Sequence, residues 1–176
     1  IRRTISEDGE NENNKKLKKV LIKNIQKDNS YEVSKILVWL FMQEKKFNQA
    51  LKYEISIDKT SFNNSMDIMS LSDVAFSNGD YETAIDGLHY IIQSRNNNSY
   101  EYEHSTLQLL DIQFQILENT KLKKDNKIKD LTKEYNSALE FFGIKSETIF
   151  TLRNYCHLLA VYLDQENEAI NILENA

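Results

Sequence analysis

A chain of 176 residues, 40% hydrophobic and 28% charged, has the composition of a soluble folded protein and excludes intrinsic disorder. Its 22 basic and 27 acidic residues are interspersed and leave a net charge of −5, which excludes nucleic acid as a partner on charge grounds and gives no field for an anionic membrane. With 4 Gly, no Pro and a single Cys, the chain excludes an internal disulfide and a multi-thiolate metal site, and it favours long helices joined by polar loops. The fold class read from this is all-α.

Residues 1–14 are polar and read as a loose connector. The opening at Ile1, without an initiator Met or a signal-peptide pattern, reads as a fragment or processed product whose fold continues upstream. Leu17, Val20, Leu21 and Ile25 then form one apolar stripe on a lysine-rich helix, the second helix of a repeat whose first is missing. Asn29-Ser30, Asn64-Ser65 and Asn98-Ser99 follow one another at nearly equal intervals, each trailed by a bulky residue and an acid. Asn or Ser can accept from unpaired amides of a first helical turn, and Glu32, Asp67 and Glu101 set negative charge at the positive dipole end. Three helix starts therefore share one phase.

A helix is expected from Tyr31 to Gln43, a turn at Lys45-Lys46, and a second helix from Phe47 to Ile57. The longest apolar run, Ile36 to Met42, is far below the ~18 residues of a membrane span, so no membrane insertion is expected. The pattern then repeats: Ile68, Leu71, Val74 and Ala75 form a stripe, Asn78-Gly79-Asp80 a turn, and Tyr81, Ala84, Ile85, Leu88, Ile91 and Ile92 a second stripe. Leu37 and Leu71, Phe47 and Tyr81, and Ala50 and Ala84 are all separated by one and the same interval. The small Ala lets paired helices approach, with the aromatic filling the wedge beside it. After Asn98 the period stretches into a long helix ending near Asn119, a lysine-rich loop, and a second long helix through Tyr135 and Ala138 to Phe142, capped by Gly143. A last pair starts at Ser146, with Ile149, Leu152, Cys156, Leu159, Ala160 and Leu163 on one helix and Ala169, Ile170 and Leu173 on the other.

This helix-turn-helix period of about 34 residues resembles a tetratricopeptide repeat. Leu37 and Leu71 match the family's first-helix Leu, Phe41 its second aromatic, and Ala50, Ala84, Ala138 and Ala169 its second-helix Ala. Departures are Ser34 and Ile68 in place of Trp, Val38 and Ser72 in place of Gly, Glu54 in place of an aromatic, Glu166 in place of Tyr, and no closing Pro. The resemblance implies a solenoid of antiparallel helix pairs, about three and a half to four units within one domain, 15–176. Its parts are a partial unit 15–30, units 31–64 and 65–98, an elongated unit 99–145 and a C-terminal unit 146–176. It further implies a concave groove lined by Trp39, Met42 and Gln43, by Asp73, Phe76 and Ser77, and, with Cys156 in the Leu slot, by Leu158, Val161 and Tyr162. Trp39, Phe76 and Tyr162 would make an aromatic track for a peptide or helix. Lys35 is followed four residues later by Trp39 rather than Asn, so the carboxylate clamp of the family's chaperone-tail binders is not expected.

No pattern for chemistry stands out. His89, His104 and His157 lack metal-ligand spacing, Cys156 and His157 point about 100° apart on one helix, and no glycine loop cradles phosphate. Lys121 to Lys129 reads as a solvated loop and helix start. No catalytic, cofactor or metal residues are assigned, and an enzyme is not expected. The expected function is a scaffold that binds a protein or peptide. The alternatives are a structural or self-associating segment of a longer solenoid, or an accessory domain of a larger regulatory or enzymatic protein. The Asn, Lys and Ile richness suits an AT-rich bacterial genome; the sequence does not choose between cytoplasm and periplasm or cell envelope.

Overall fold

The computed structural model describes residues 12–25, 27, 30–61, 65–120 and 125–176, and every regular element among them is helical. The chain divides into two compact units, Ile1–Ser94 and Arg95–Ala176.

In the first unit α1 (Glu12–Ile25), α2 (Tyr31–Gln43), α3 (Phe47–Ser61), α4 (Ser65–Ser77) and α5 (Tyr81–Ser94) pack in sequence, with the pairs α2/α3 and α4/α5 in most extensive contact. Both pairs are closed by the same turn. Lys46 N–H donates to the Phe41 carbonyl at 2.9 Å and Lys45 N–H to Met42 at 3.0 Å; Asp80 and Gly79 repeat this onto Ala75 and Phe76 at 2.9 Å each. This is the Schellman arrangement, which needs a left-handed residue just past the helix end. Gly79 (φ +82°) fills that position in one pair and Lys45 (φ +54°) fills the equivalent position in the other. Ala50, Ala75 and Ala84 are fully buried, so the helices of each pair approach closely around Leu37, Leu71 and Leu88. Gly87 extends this closeness: a Cβ there would meet Ser72 Oγ at 2.3 Å.

Two carboxylates of this unit are covered and held in ion pairs. Glu54, 3% exposed, accepts both carboxylate bonds from Lys35 Nζ at 2.8 Å, and Lys35 also reaches Asp67 at 2.6 Å, so one ammonium ties α2 to α3 and α4. Burial pulls the Lys35 ammonium down, but the hydrogen bonds and charges of Asp67 and Glu54 outweigh it and the net shift is upward. Glu44 likewise pairs with Lys18 of α1 and with Lys46.

Several expectations change. The helix α1 starts at Glu12, inside the stretch read as connector, and Asn14 is buried. Its inward stripe is Asn14, Leu17, Lys18 and Leu21, so Val20 points out, 56% exposed. In α4 Ser72 and Met69 are buried while Val74 is exposed, because the close approach at Gly87 draws the Ser72 side of the helix inward. Tyr81 is exposed and touches the Phe76 ring at 5.4 Å, whereas Phe47 is buried as expected. Of the three expected caps, Ser99 accepts from Tyr102 N–H at 3.2 Å, but the Ser30 hydroxyl donates to Glu32 instead. Asn29 and Asn64 lie outside the described residues.

The second unit comprises α6 (Tyr100–Asn119), α7 (Asp125–Phe142), a 3-10 turn Ser146–Thr148, α8 (Ile149–His157) running into a π-helical segment Leu158–Tyr162, and α9 (Glu166–Glu174). Its core joins Leu110, Phe114, Leu131, Tyr135, Leu152, Tyr155, Leu158 and Ala169. The fully buried Thr148 hydroxyl fixes the loop before α8: it accepts from Lys145 N–H at 3.0 Å and donates to the Gly143 carbonyl at 2.8 Å. Asp164 (φ +55°) takes the place that Gly79 holds in α4/α5, but Gln165 N–H bonds Leu159, six residues back rather than five. That extra residue is the π-helical widening. In α9 only Ala169 is buried; Ile170 and Leu173, expected on the same stripe, face outward at 54% exposure each.

Candidate functional site: a cleft between two helices of the second unit

Along α6, Tyr100, His104, Leu107, Gln108, Asp111 and Gln115 recur at three- and four-residue steps and occupy one face. Facing them are Phe150, Thr151, Arg153 and Asn154 from the start of α8, with Lys145 and Glu147 from the preceding loop. Together they enclose a cleft of about 670 Å³ with Tyr135 of α7 in its lining.

Asn154, 2% exposed, is the hub of its polar wall. Its amide nitrogen donates to Asp111 Oδ1 at 3.2 Å and to Tyr135 Oη at 3.4 Å, and its Oδ1 accepts from Arg153 Nε at 3.2 Å and Nη2 at 3.0 Å. Both amide hydrogens and both lone pairs are thereby engaged. Tyr135 Oη donates in turn to the Leu110 carbonyl at 3.0 Å, and Gln115 donates to Asp111 Oδ2 at 2.7 Å. Burial is the main reason the Tyr135 phenol is pushed far up, so it stays protonated and keeps donating. The Arg153 guanidinium lies 5.2 Å from the centre of the Phe150 ring, within cation-π range. At the other end Lys145 pairs with Glu103 at 2.7 Å, and the His104 ring stacks on Tyr100 at 5.5 Å.

Phe150 and Tyr100 are 65% and 61% exposed. Two large rings are thus left open to solvent beside the polar wall.

None of the nine residues expected to line a groove lines this cleft. In the first unit Trp39 and Met42 are half-buried on α2, Gln43, Asp73 and Ser77 are exposed, and Phe76 is half-buried against Tyr81. In the second unit Leu158 is fully buried in the core, Val161 is exposed, and Tyr162 donates to Glu118. The cleft uses the first half of α8, whereas the repeat register pointed to the π-helical segment after it, which packs against α9 and turns Leu158 inward. The periodic aromatic and amide face of α6 was the available signal.

Cys156 is buried, and burial raises its thiol above the ordinary range, which disfavours a thiolate. His157 packs edge-on against Phe114 at 5.4 Å. Among the described residues no group of three or more His, Cys, Asp or Glu is placed to hold a metal ion, and no helix is long and apolar enough to cross a membrane. Lys127 and Lys129 are exposed on α7; Lys121 to Lys124 lie outside the described residues. No family model, curated protein or solved structure matches this chain.

Proposed function

We propose that this chain is a non-enzymatic helical-repeat scaffold on the tetratricopeptide plan, which binds a peptide or helix of a partner protein in the cleft between α6 and α8. The observation that carries the reading is the cleft itself: two exposed rings, Tyr100 and Phe150, beside a polar wall held by Asn154. The repeat plan draws support from the first unit, where two successive helix pairs share buried alanines and the same closing turn. A binding segment would set apolar or aromatic side chains against Tyr100 and Phe150 and satisfy its own polar groups on Arg153 and the Lys145–Glu103 rim.

Selection of a random peptide display library on the full chain supplies a ligand for the test. Tyr100→Ala with Phe150→Ala is expected to weaken the selected peptide at least ~10-fold, about 1.4 kcal/mol. Trp39→Ala with Phe76→Ala is expected to leave it unchanged. The reverse result moves the binding face to α2 and α4 of the first unit, and a library that yields no binder removes the scaffold reading.

A further inference from the structure

The first and last of the described helices each carry an outward stripe that their own unit leaves uncovered. On α1 the inward side is Asn14, Lys18 and Leu21, and the outward side is Lys16, Lys19, Val20 and Lys23, all exposed. These four fall within about 100° of the helix circumference. On α9 the inward side is Ala169, and the outward side is Glu166, Ile170, Leu173 and Glu174, again exposed and within a similar arc. One stripe is a single valine among three lysines; the other is an Ile and a Leu flanked by glutamates. No ion pair involves any of these lysines or glutamates among the described residues. The end charges are also matched in spacing, about 10 Å from Lys16 to Lys23 and about 12 Å from Glu166 to Glu174 at 1.5 Å per residue.

We propose that copies of this chain associate head to tail, α1 of one copy docking on α9 of the next, with Val20 against Ile170 and Leu173 and the lysines against the glutamates. The complementarity lies between two different faces, so the contact is heterologous and each added copy leaves one stripe of each kind open. One helix on one helix is a small interface, and the expected dissociation constant at low salt is on the order of 0.1 mM. Attraction across exposed charges also makes the association strong at low salt and weak at high salt.

Sedimentation velocity on the full chain up to ~1 mM, at about 0.01 M and about 1 M salt, tests this. At low salt the sedimentation coefficient is expected to rise with concentration past the dimer value, and at high salt to stay at the monomer value. The triple variant Lys16→Glu, Lys19→Glu, Lys23→Glu and the double variant Glu166→Lys, Glu174→Lys are each expected to remain monomeric with unchanged helical circular dichroism. Mixed together, the all-acidic and all-basic variants are expected to associate again, which no general loss of folding would produce. A chain that stays monomeric at low salt overturns the proposal and leaves the stripes to another partner. Association that stops at a dimer, survives both reversals or is not restored by mixing overturns it equally.

Discussion

The first and second units differ in how their covered charges and amides are held. In the first, two covered carboxylates are paired across helices: Glu54 with Lys35, Glu44 with Lys18. In the second, the centre is a neutral amide, Asn154, joined to a phenol, a carboxylate and a guanidinium at once. The Lys35–Glu54 pair is replaceable as a pair, because removing both charges also removes both desolvation penalties and Asp67, the other partner of Lys35, is open to solvent. A hub with three partners is not, since any apolar substitute strands the others. The first unit's polar groups therefore tie helices together, while the second unit's hub also shapes a surface.

The sharpest way to break that contrast is Asn154→Ala, which leaves Asp111 and Tyr135 without their amide donor; urea denaturation is expected to show a loss of about 3 kcal/mol. Asn154→Leu is expected to be no better. In the first unit Glu54→Ala is expected to lose about 2 kcal/mol, less than for a fully buried pair because Lys35 is partly open to solvent. The double change Lys35→Met, Glu54→Leu is expected to recover most of that loss. If it recovers nothing, while Asn154→Leu is harmless, the contrast is inverted.

Gly87→Ala tests the close approach of α4 and α5. Alanine is the better helix former by about 1 kcal/mol, yet its methyl would displace the Ser72 hydroxyl, which donates to Ile68 at 2.9 Å. A net loss of about 1 kcal/mol is expected in the same assay, and a gain would show that the two helices are not in contact there.

The smallest expected effect is on pH. Burial pushes the Glu44 carboxyl up, but hydrogen bonds and charges from Lys18 and Lys46 outweigh it and hold it below the ordinary 4.5. A depressed carboxylate contributes stability above 4.5 that disappears as pH falls through its lower folded value. Between pH 5 and pH 3 the native chain is expected to lose more stability than Glu44→Gln, by under about 1 kcal/mol.

Helix positions were readable because turns announce themselves locally. Tyr31–Gln43 is found at its expected bounds, and the helices ending at Asn119 and Phe142 stop where the loop and Gly143 placed them. Which side of a helix turns inward is a tertiary matter, and there expectation and structure part. Val20, Val74, Ile170 and Leu173 suit an apolar stripe as well as their neighbours do, but Lys18, Ser72 and Ala169 are the ones facing a partner helix. Glu54 stood out as a departure from an aromatic position, and its burial goes with its pairing to Lys35, which lies on the preceding helix. The cleft escaped for a related reason: its α8 wall lies about two turns before Leu158, Val161 and Tyr162, which the repeat pattern supplied, and the π-helical segment that holds those three has no local sequence mark.

The Arg153 side chain, stacked on Phe150 and bonded through Nε and Nη2 to Asn154, has already given up most of its rotamer freedom before any ligand arrives. A long arginine ordered only on binding forfeits roughly 0.5–1.5 kcal/mol of side-chain entropy, and here that loss is incurred during folding instead. Such a wall needs little rearrangement at encounter. If the proposed segment binds there, its affinity is expected to be governed by fit, with differences between ligands appearing in how long they stay rather than how fast they arrive.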